Sequence, residues 1–268
     1  MKDALGDRMK AYEGAEAQRR FMPLLPIMAR IDGRSFSSFT HGMERPFDDR
    51  FSRCMIETTL KLVQATGASV GYSQSDEISL CFYSDDIQSQ VFFDGRIQRM
   101  TSQLAALATL FFYREVLSVM PEYADRLPSF DARVWSVPNL AEAANTFLWR
   151  EVDATKNSVS MAARHYFSHG ELHCKNAPEM KTMLESKGII WGQYPAHFKR
   201  GTFVRKEYHE LPLSLPELEE LPEKHHARTD PDFKRLRSVM VQSNMEPIGK
   251  MLNVVDVLFH QKNPITKS

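Results

Sequence analysis

Apolar residues in the first half of the chain recur with two different periods, which separate strands from helices. The run from Leu24 to Ile31 is apolar and interrupted by Pro26, which predicts a buried strand that begins after this proline. Apolar residues between positions 51 and 63 recur at helical spacing, with Asp48 as candidate N-cap and Gly67 as candidate helix end. The pattern therefore predicts a strand followed by a helix.

The segments that follow continue this alternation. Two strands that meet at a tight turn, a long helix rich in Ala and Leu, and a short strand are predicted at Ser69 to Gln74, Ile78 to Tyr83, Arg96 to Ser118 and Asp131 to Val137. The order strand, helix, strand, strand, helix, strand is that of the split βαββαβ, or ferredoxin-like, fold. We therefore predict an α+β fold class, preceded by a polar helix from Asp3 to Arg20.

After position 138 the apolar pattern becomes mainly helical. A strand is predicted at Gly201 to Glu207, and three prolines among acidic residues from Pro212 to Pro222 predict a linker. The stretch from Asp230 onward predicts a helical tail that packs on the body or on another subunit. The chain is thus predicted to divide into residues 1–138 and a mostly helical region, residues 139–268.

Composition and charge narrow the class of protein. The chain has 268 residues, 43% of them hydrophobic and 25% charged, which is typical of a folded globular protein. Lys plus Arg and Asp plus Glu both number 34, so nucleic-acid binding would need a local basic face. Three widely spaced cysteines indicate free thiols, and no apolar run approaches the roughly 20 residues that span a bilayer. We expect a cytoplasmic protein without a signal peptide or a membrane segment.

Two acidic residues occupy the ends of neighbouring strands in the predicted sheet. The first and third strands of a βαββαβ sheet are antiparallel neighbours, so Asp32 at the end of one and Asp76 at the start of the other should share an edge. Carboxylates at such an edge can bind Mg²⁺, with the Gly33 carbonyl as a further oxygen ligand. The alternative is that Asp32-Gly33 and Asp76-Glu77 are ordinary solvated turn residues.

Candidate phosphate-binding groups are expected around this edge. The loop from Arg34 to Ser37 offers backbone N–H groups and two hydroxyls, those of Ser35 and Ser37, and Ser75 can donate to the same phosphates. Guanidinium groups bind phosphate oxygens bidentately, which makes three arginines candidates: Arg45, Arg96 and Arg99. For the last two, one helical turn apart, a solvated helix face is the competing interpretation.

Four short motifs lie in these segments in a fixed order. They are Arg30-Ile31-Asp32-Gly33-Arg34 followed by Phe36 and Phe39; Gln74-Ser75-Asp76-Glu77 with Ser79; Phe130-Asp131-Ala132-Arg133-Val134; and Trp149-Arg150 with Asp153. Together they resemble the tRNA-His guanylyltransferase family, including its 3′–5′ polymerase-like bacterial and archaeal members. The resemblance covers about Arg30 to Asn157, and Lys199 to Thr202 is similar to the family's lysine-glycine-threonine stretch.

The resemblance implies a fold and a set of roles. Family members have a palm-like catalytic fold akin to polymerases and nucleotidyl cyclases, here residues 1–138, and residues 139–268 would contact tRNA and form oligomers. Asp32, Asp76 and Glu77 would be the catalytic residues. Asp32 and Asp76 would bind two magnesium ions together with the Gly33 carbonyl, and Glu77 would lie beside them in support. The nucleotide site would comprise Asp32, Gly33, Arg34, Ser35, Phe36, Ser37, Arg45, Ser75 and Asp76, and contacts to triphosphate or tRNA would come from Arg96, Arg99, Asn157 and Lys199.

The implied reaction is the addition of nucleotides to the 5′ end of tRNA. ATP would activate a 5′-monophosphate, and the 3′-hydroxyl of an incoming nucleotide, typically GTP, would attack the activated phosphate. The implied assembly is a homotetramer, a dimer of dimers. Eukaryotic members carry a His-Ile-Asn-Asn motif where this chain has Thr155-Lys156-Asn157-Ser158. This difference favours templated repair of 5′-truncated tRNAs over strict tRNA-His guanylylation.

Two other functions remain open from the sequence. A palm-fold nucleotidyltransferase or cyclase would act on free nucleotides without RNA. A non-catalytic tRNA-binding module would keep the fold, but loss of an acidic ligand is then expected, and both Asp32 and Asp76 are present.

Overall fold

The computed structural model describes residues 4–230, 232–243 and 245–266. The strands are β1 Ile27–Gly33, β2 Val70–Gln74, β3 Glu77–Phe82, β4 Phe130–Ser136, β5 Thr202–Pro212 and β6 Lys234–Ser243. The α-helices are α1 Ala4–Ala17, α2 Phe36–Phe39, α3 Asp49–Thr66, α4 Ile97–Val119, α5 Leu140–Tyr166, α6 His169–Leu172, α7 Ala177–Ser186, α8 Ala196–Arg200, α9 Leu215–Glu220 and α10 Val254–Phe259. Asp3, where the predicted N-terminal helix begins, lies outside the described residues, and none of the described helices is long and apolar enough to cross a membrane.

One antiparallel sheet organises the chain, with the strand order β4-β1-β3-β2-β5-β6. The first four strands of this order are those of the ferredoxin-like fold, with β1 and β3 as central antiparallel neighbours. The α+β prediction is therefore confirmed. β5 pairs with β2 and so joins the C-terminal region to the same sheet. The division at residue 138 stays a prediction.

Alternation along β1 distributes its side chains between two hydrophobic cores. Ile27, Ala29 and Ile31 belong to the core formed with α3 and α4, whereas Met28 belongs to the core that contains Phe147 of α5. Helices therefore cover both faces of the sheet. Arg30 and Asp32 follow Met28 in the same alternation, so they lie on the face that α5 covers.

The long helix α3 begins and ends where its cap residues predict. The Asp48 carboxylate accepts hydrogen bonds from the backbone N–H groups of Arg50 and Phe51, which satisfies donors that have no partner inside the helix. Gly67 follows the last turn with φ of 71°, in the left-handed region that glycine adopts without strain. Both predictions for this helix are confirmed.

One prediction for the C-terminal region is wrong, that of a helical tail from Asp230 onward. β6 pairs with β5 from Phe203 to Pro212, and among the described residues after β6 the helical segments are the short α10 and a 3₁₀ turn, Ile248–Lys250. Pairing gives partners to the backbone N–H and C=O groups at the edge of β5, which a helix would leave without partners. The predicted linker from Pro212 to Pro222 contains α9, which begins with a capping box between Ser214 and Glu217.

Candidate active site

The two predicted acidic residues meet at one rim of the sheet. Asp32 of β1 lies directly opposite Glu77 of β3, and the Gly33 N–H donates to the Asp76 carbonyl oxygen at 3.0 Å. Asp76 belongs to the two-residue turn between β2 and β3, in which Ser75 has a left-handed φ of 47°. Residues far apart in the sequence are thus held together by the antiparallel pairing of β1 and β3.

The carboxylate of Asp76 has an unfavourable environment for its charge. Burial raises its pKa above the ordinary value, and the negative charge of Asp32 acts in the same direction. Hydrogen bonds to the backbone and to Ser75 oppose the shift. A divalent cation at this rim would compensate both carboxylates, and carboxylate oxygens are the ligands that Mg²⁺ prefers.

Glu77 is occupied by arginines rather than available to a metal. The Arg150 Nε and Nη2 atoms donate to its two carboxylate oxygens at 2.6 and 2.7 Å, and Arg30 Nη2 lies 2.6 Å from Glu77 Oε2. Arg150 and Glu77 have side-chain exposures of only 5% and 4%. Glu77 is predicted to lie beside the metal ligands in support. In the structure it forms an ion pair with Arg30 and so holds that side chain in place.

Arg30 connects this buried pair to Asp32. Its Nη2 atom donates to Asp32 Oδ2 at 2.7 Å, so a continuous chain of ion pairs runs from Arg150 through Glu77 and Arg30 to Asp32. We call these four residues the arginine relay. In the sequence, Arg30 and Arg150 stand out only as parts of motifs. The spacing of Arg30 and Asp32 could have revealed the first contact, because residues two apart in a strand share a face.

A cleft of about 420 Å³ opens beside this rim. Its floor contains Asp32, Asp76 and Glu77, and one wall is the face of α5 that carries Asp153, Asn157 and Arg164. The opposite wall is the loop before α3, which includes Arg45, Phe47 and Asp48, and Phe198 of α8 also contributes. Such a mixture of aromatic and charged groups suits a nucleotide, whose base is apolar on its faces and whose phosphates are anionic.

The predicted phosphate loop follows β1 as a tight turn. Gly33 has no room for a side chain, since a Cβ there would lie 2.5 Å from the Phe36 ring. That ring packs in the core against Phe39, Phe112 and Phe130, so Phe36 has only its backbone to offer a ligand. The Arg34 N–H donates to the Ser129 carbonyl, Ser35 has a left-handed φ of 56°, and Ser37 is exposed in the first turn of α2.

The remaining predicted site residues divide into two groups. Arg45, Ser75 and Asn157 line the cleft, although the Arg45 guanidinium also approaches the Thr40 carbonyl at 3.4 Å. Lys199 does not line it, because its ammonium group donates to the Gly192 carbonyl and lies 5.7 Å from the Trp191 ring centre. Contacts of Lys199 with triphosphate or tRNA therefore stay a prediction.

Arg96 and Arg99 lie at the other end of the sheet, so their predicted placement around the acidic edge is wrong. The strand β3 begins at Glu77 and runs the length of the sheet to Phe82, which stacks on Phe92 just before α4. Arg96 is the N-cap of α4, and the Arg99 guanidinium lies 4.9 Å from the Phe93 ring centre. Neither lines the cleft. Their proposed contact with tRNA is not tested by this placement.

The donor set at the rim fits magnesium better than a softer metal. Among the described residues, no group of three or more His, Cys, Asp and Glu side chains is arranged to hold a metal ion. A closed zinc-type site is therefore absent from this part of the chain. Two carboxylates beside an open cleft suit Mg²⁺, which keeps several waters and substrate phosphates among its ligands.

The chain is similar in sequence and in fold to known proteins. Residues 6–138 match the sequence model of the Thg1, tRNAHis guanylyltransferase, family. The fold is similar to a bacterial tRNA(His) guanylyltransferase (Thg1)-like protein solved in complex with GTP, with 32% identity over 92% of this chain and 95% of that one and a TM-score of 0.72. A bacterial tRNA(His) guanylyltransferase (Thg1)-like protein solved in complex with ATP has 37% identity over 76% of this chain and 87% of that one, with a TM-score of 0.71.

A relative from a virus extends the similarity. An uncharacterised protein of Acanthamoeba polyphaga mimivirus is 30% identical over 228 residues, which are 76% of this chain and 78% of its own. The matched residues 6–138 include three of the four motifs as well as the rim that carries Asp32 and Asp76. The chain belongs to the tRNAHis guanylyltransferase (Thg1) family of nucleotidyltransferases.

Proposed function

We propose that this protein adds nucleotides to the 5′ end of tRNA in the 3′–5′ direction, with GTP and ATP as nucleotide substrates and Mg²⁺ as cofactor. The observation that carries the proposal is the meeting of Asp32 and Asp76 at a rim that opens into a nucleotide-sized cleft. The relatives solved with GTP and with ATP support both nucleotides as ligands of this protein. The family's name supports tRNA as the acceptor.

The proposed roles follow from the groups that face the cleft. Asp32 and Asp76, with the Gly33 carbonyl, would hold two Mg²⁺ ions, which neutralise phosphate charge and lower the pKa of a bound hydroxyl. Arg45 and the hydroxyl of Ser75, which line the cleft, would bind phosphate oxygens. The loop from Gly33 to Ser37 follows Asp32 directly but does not itself line the cleft, and its backbone is proposed to contact the same phosphates. Positioning and charge neutralisation supply most of the catalysis in phosphoryl transfer.

Two finer points are proposals about substrate choice. ATP transfers AMP to the 5′-monophosphate of the tRNA and releases pyrophosphate. The 3′-hydroxyl of the next nucleotide then attacks the activated 5′ phosphate and displaces AMP, so that one phosphodiester bond forms for each AMP released. The run Thr155-Lys156-Asn157-Ser158 lacks the motif associated with tRNA-His specificity. Repair of 5′-truncated tRNAs is therefore proposed as the preferred reaction, carried out in the cytoplasm by a homotetramer.

Incorporation of labelled GTP into a tRNA transcript that lacks its first nucleotide tests the function. We expect magnesium-dependent incorporation that falls by about a thousandfold in Asp32→Ala and Asp76→Ala, because each change removes a ligand of the ions that stabilise the transferred charge. Glu13→Ala, at an exposed acid of α1, is the matched control and should retain activity. Normal incorporation by either aspartate variant would contradict the metal assignment.

The same assay separates the two alternatives. Conversion of GTP or ATP without RNA, seen by thin-layer chromatography, would indicate a cyclase or another enzyme of free nucleotides. Tight binding of tRNA without turnover under any triphosphate would indicate a binding module. Sequencing of product 5′ ends on full-length and truncated tRNAs then decides whether repair exceeds tRNA-His guanylylation.

A further inference from the structure

Trp149 is a large apolar side chain held in an exposed position beside the arginine relay. It is 55% exposed, and its ring centre lies 4.6 Å from the Arg150 guanidinium carbon. That guanidinium is buried and fixed by two hydrogen bonds to Glu77. The indole therefore rests on an immobile cation, which fixes its orientation at little further entropic cost on binding.

The direction of Trp149 follows from its helical position. Phe147, two residues earlier in α5, packs against Tyr72 of β2 and Phe203 of β5 at centroid distances of 6.4 and 5.8 Å. Arg150 points to Glu77 of β3, and Glu151, about 100° further round the helix, contacts Ile248 and Arg200 on the β5 side. Trp149 lies about 100° from Arg150 in the other direction, on the opposite flank of α5. The opposite side is that of β4, the edge strand.

The surface of β4 on this side is open. Asp131 and Arg133 lie opposite Asp32 and Arg30 in the antiparallel register, so their side chains share the face that α5 covers elsewhere. Both are exposed, with side-chain exposures of 56% and 61%, whereas Phe130 and Ala132 on the other face of β4 are buried. α5 therefore leaves an uncovered shelf above β4, beside Asp32.

Two exposed cations lie on the elements that border this shelf. Arg133 lies on β4, and Lys156 is exposed on α5 seven residues after Trp149, which is two turns, or about 10 Å, along the same helix face. An aromatic platform with cations on either side is the usual arrangement for binding single-stranded nucleic acid. The cleft walls described above do not include Trp149, so a nucleotide in the cleft leaves the shelf free.

We propose that Trp149 stacks on a nucleobase near the 5′ end of the acceptor RNA, with Arg133 and Lys156 on neighbouring phosphates. The cleft takes the incoming nucleotide, and the RNA end approaches Asp32 from the β4 side. Trp149 is thus an RNA-binding residue of the shelf and takes no part in the phosphoryl transfer itself. The proposal rests on the proposed function, because it assumes that RNA is the acceptor.

Truncation of the indole tests the proposal by separating RNA binding from nucleotide binding. Trp149→Ala should raise the KM and the Kd for the truncated tRNA about tenfold, since stacking on one aromatic residue accounts for an effect of this order. The Kd for GTP should not change, and Trp149→Phe should retain most of the RNA affinity. Leu110→Ala is the matched control, because Leu110 is an exposed helical residue of α4, on the other face of the sheet.

Fluorescence gives a second readout that needs no catalysis. In a Trp135→Phe, Trp191→Phe variant, Trp149 is the remaining tryptophan of the three in the chain, and stacking of a base should quench it. We expect quenching by the truncated tRNA, less quenching by a transcript with abasic residues at its 5′ end, and none by GTP alone. If this variant does not fold, the Trp149→Ala titration decides.

The outcomes that overturn the proposal differ from those that overturn the function. Equal quenching by GTP and RNA would place Trp149 in the nucleotide site, and unchanged RNA affinity in Trp149→Ala would remove its role in binding. Absence of nucleotide addition by the unmodified protein would instead contradict the proposed function, while quenching by RNA would still support the shelf.

Discussion

The two ends of the central sheet carry similar residue types in different environments. At the acidic rim, Glu77 and Arg150 are almost completely buried and form part of the arginine relay. At the opposite end, Arg20 and Asp94 form an exposed ion pair, and the exposed Arg99 rests on Phe93. Removal of one partner from a buried pair leaves an uncompensated charge, whereas exposed pairs contribute little to stability.

Charged residues occur at both ends of the sheet, so their presence alone does not identify an active site. Both ends hold arginines and carboxylates beside a cavity, but those of the acidic rim include a buried pair, Arg150 and Glu77. There the arginine relay holds Asp32 in place, and burial raises the pKa of Asp76. A cation bound at the acidic rim would therefore stabilise the folded protein. The exposed ion pair at the far end needs no ligand to compensate its charges.

The largest expected effect on stability comes from Arg150→Ala. This change leaves the buried Glu77 carboxylate without its bidentate partner, so we expect a loss of about 3–5 kcal/mol in the free energy of unfolding. Arg150→Lys should recover part of this loss. Arg133→Ala, at an exposed arginine of β4, is the control and should stay within about 0.5 kcal/mol. Urea denaturation measures all three, and equal midpoints for Arg150→Ala and Arg133→Ala would refute the importance of burial.

A smaller effect of opposite sign is expected for Asp76→Asn without divalent ions. Because burial and Asp32 raise the pKa of Asp76 in the folded protein, the ionised form destabilises the fold at neutral pH. The amide should raise the Tm by about 2–4 °C at pH 7, and this advantage should vanish as the pH falls below the ordinary Asp pKa of about 3.9.

Asp32→Asn provides the contrast for that measurement. Asp32 is paired with Arg30 at 2.7 Å, so its replacement should not raise the Tm. Thermal unfolding of both variants in chelator between pH 3 and pH 7 is the measurement. A gain in Tm for Asp76→Asn that is as large at pH 3 as at pH 7 would show that the effect is not electrostatic.

The smallest expected effect is that of Arg99→Ala on the KM for GTP. Arg99 lies at the far end of the sheet, so we expect a change of less than about twofold, whereas Arg45→Ala in the cleft wall should raise this KM about tenfold. Steady-state kinetics with saturating tRNA compares the two. An equal rise for both variants would indicate that the far end reaches the cleft of a neighbouring copy in an assembly.

Local sequence patterns determined most of the strands and helices from β1 to β4. Alternation and turn residues defined β1 to β4, and Asp48 and Gly67 marked the ends of α3, because strand periodicity and helix caps depend on neighbouring residues. The order of elements then fixed which strands are neighbours, and that was sufficient to bring Asp32 and Asp76 to one rim. The same order implies that α4 begins at the far end of the sheet. The prediction that Arg96 and Arg99 lie near the acidic rim did not take this into account.

Only the tertiary structure decided which charges are paired and which surfaces are covered. The arginine relay needs Arg150 of α5 above Glu77 of β3, and no local pattern specifies how a helix lies across a sheet. The pairing of β6 with β5 likewise depends on an edge formed by distant segments. The amino-acid sequence by itself determined which segments form helices and strands and which strands are neighbours. Burial sets the strength of each charge interaction, and it arises only when the helices and the sheet are packed together.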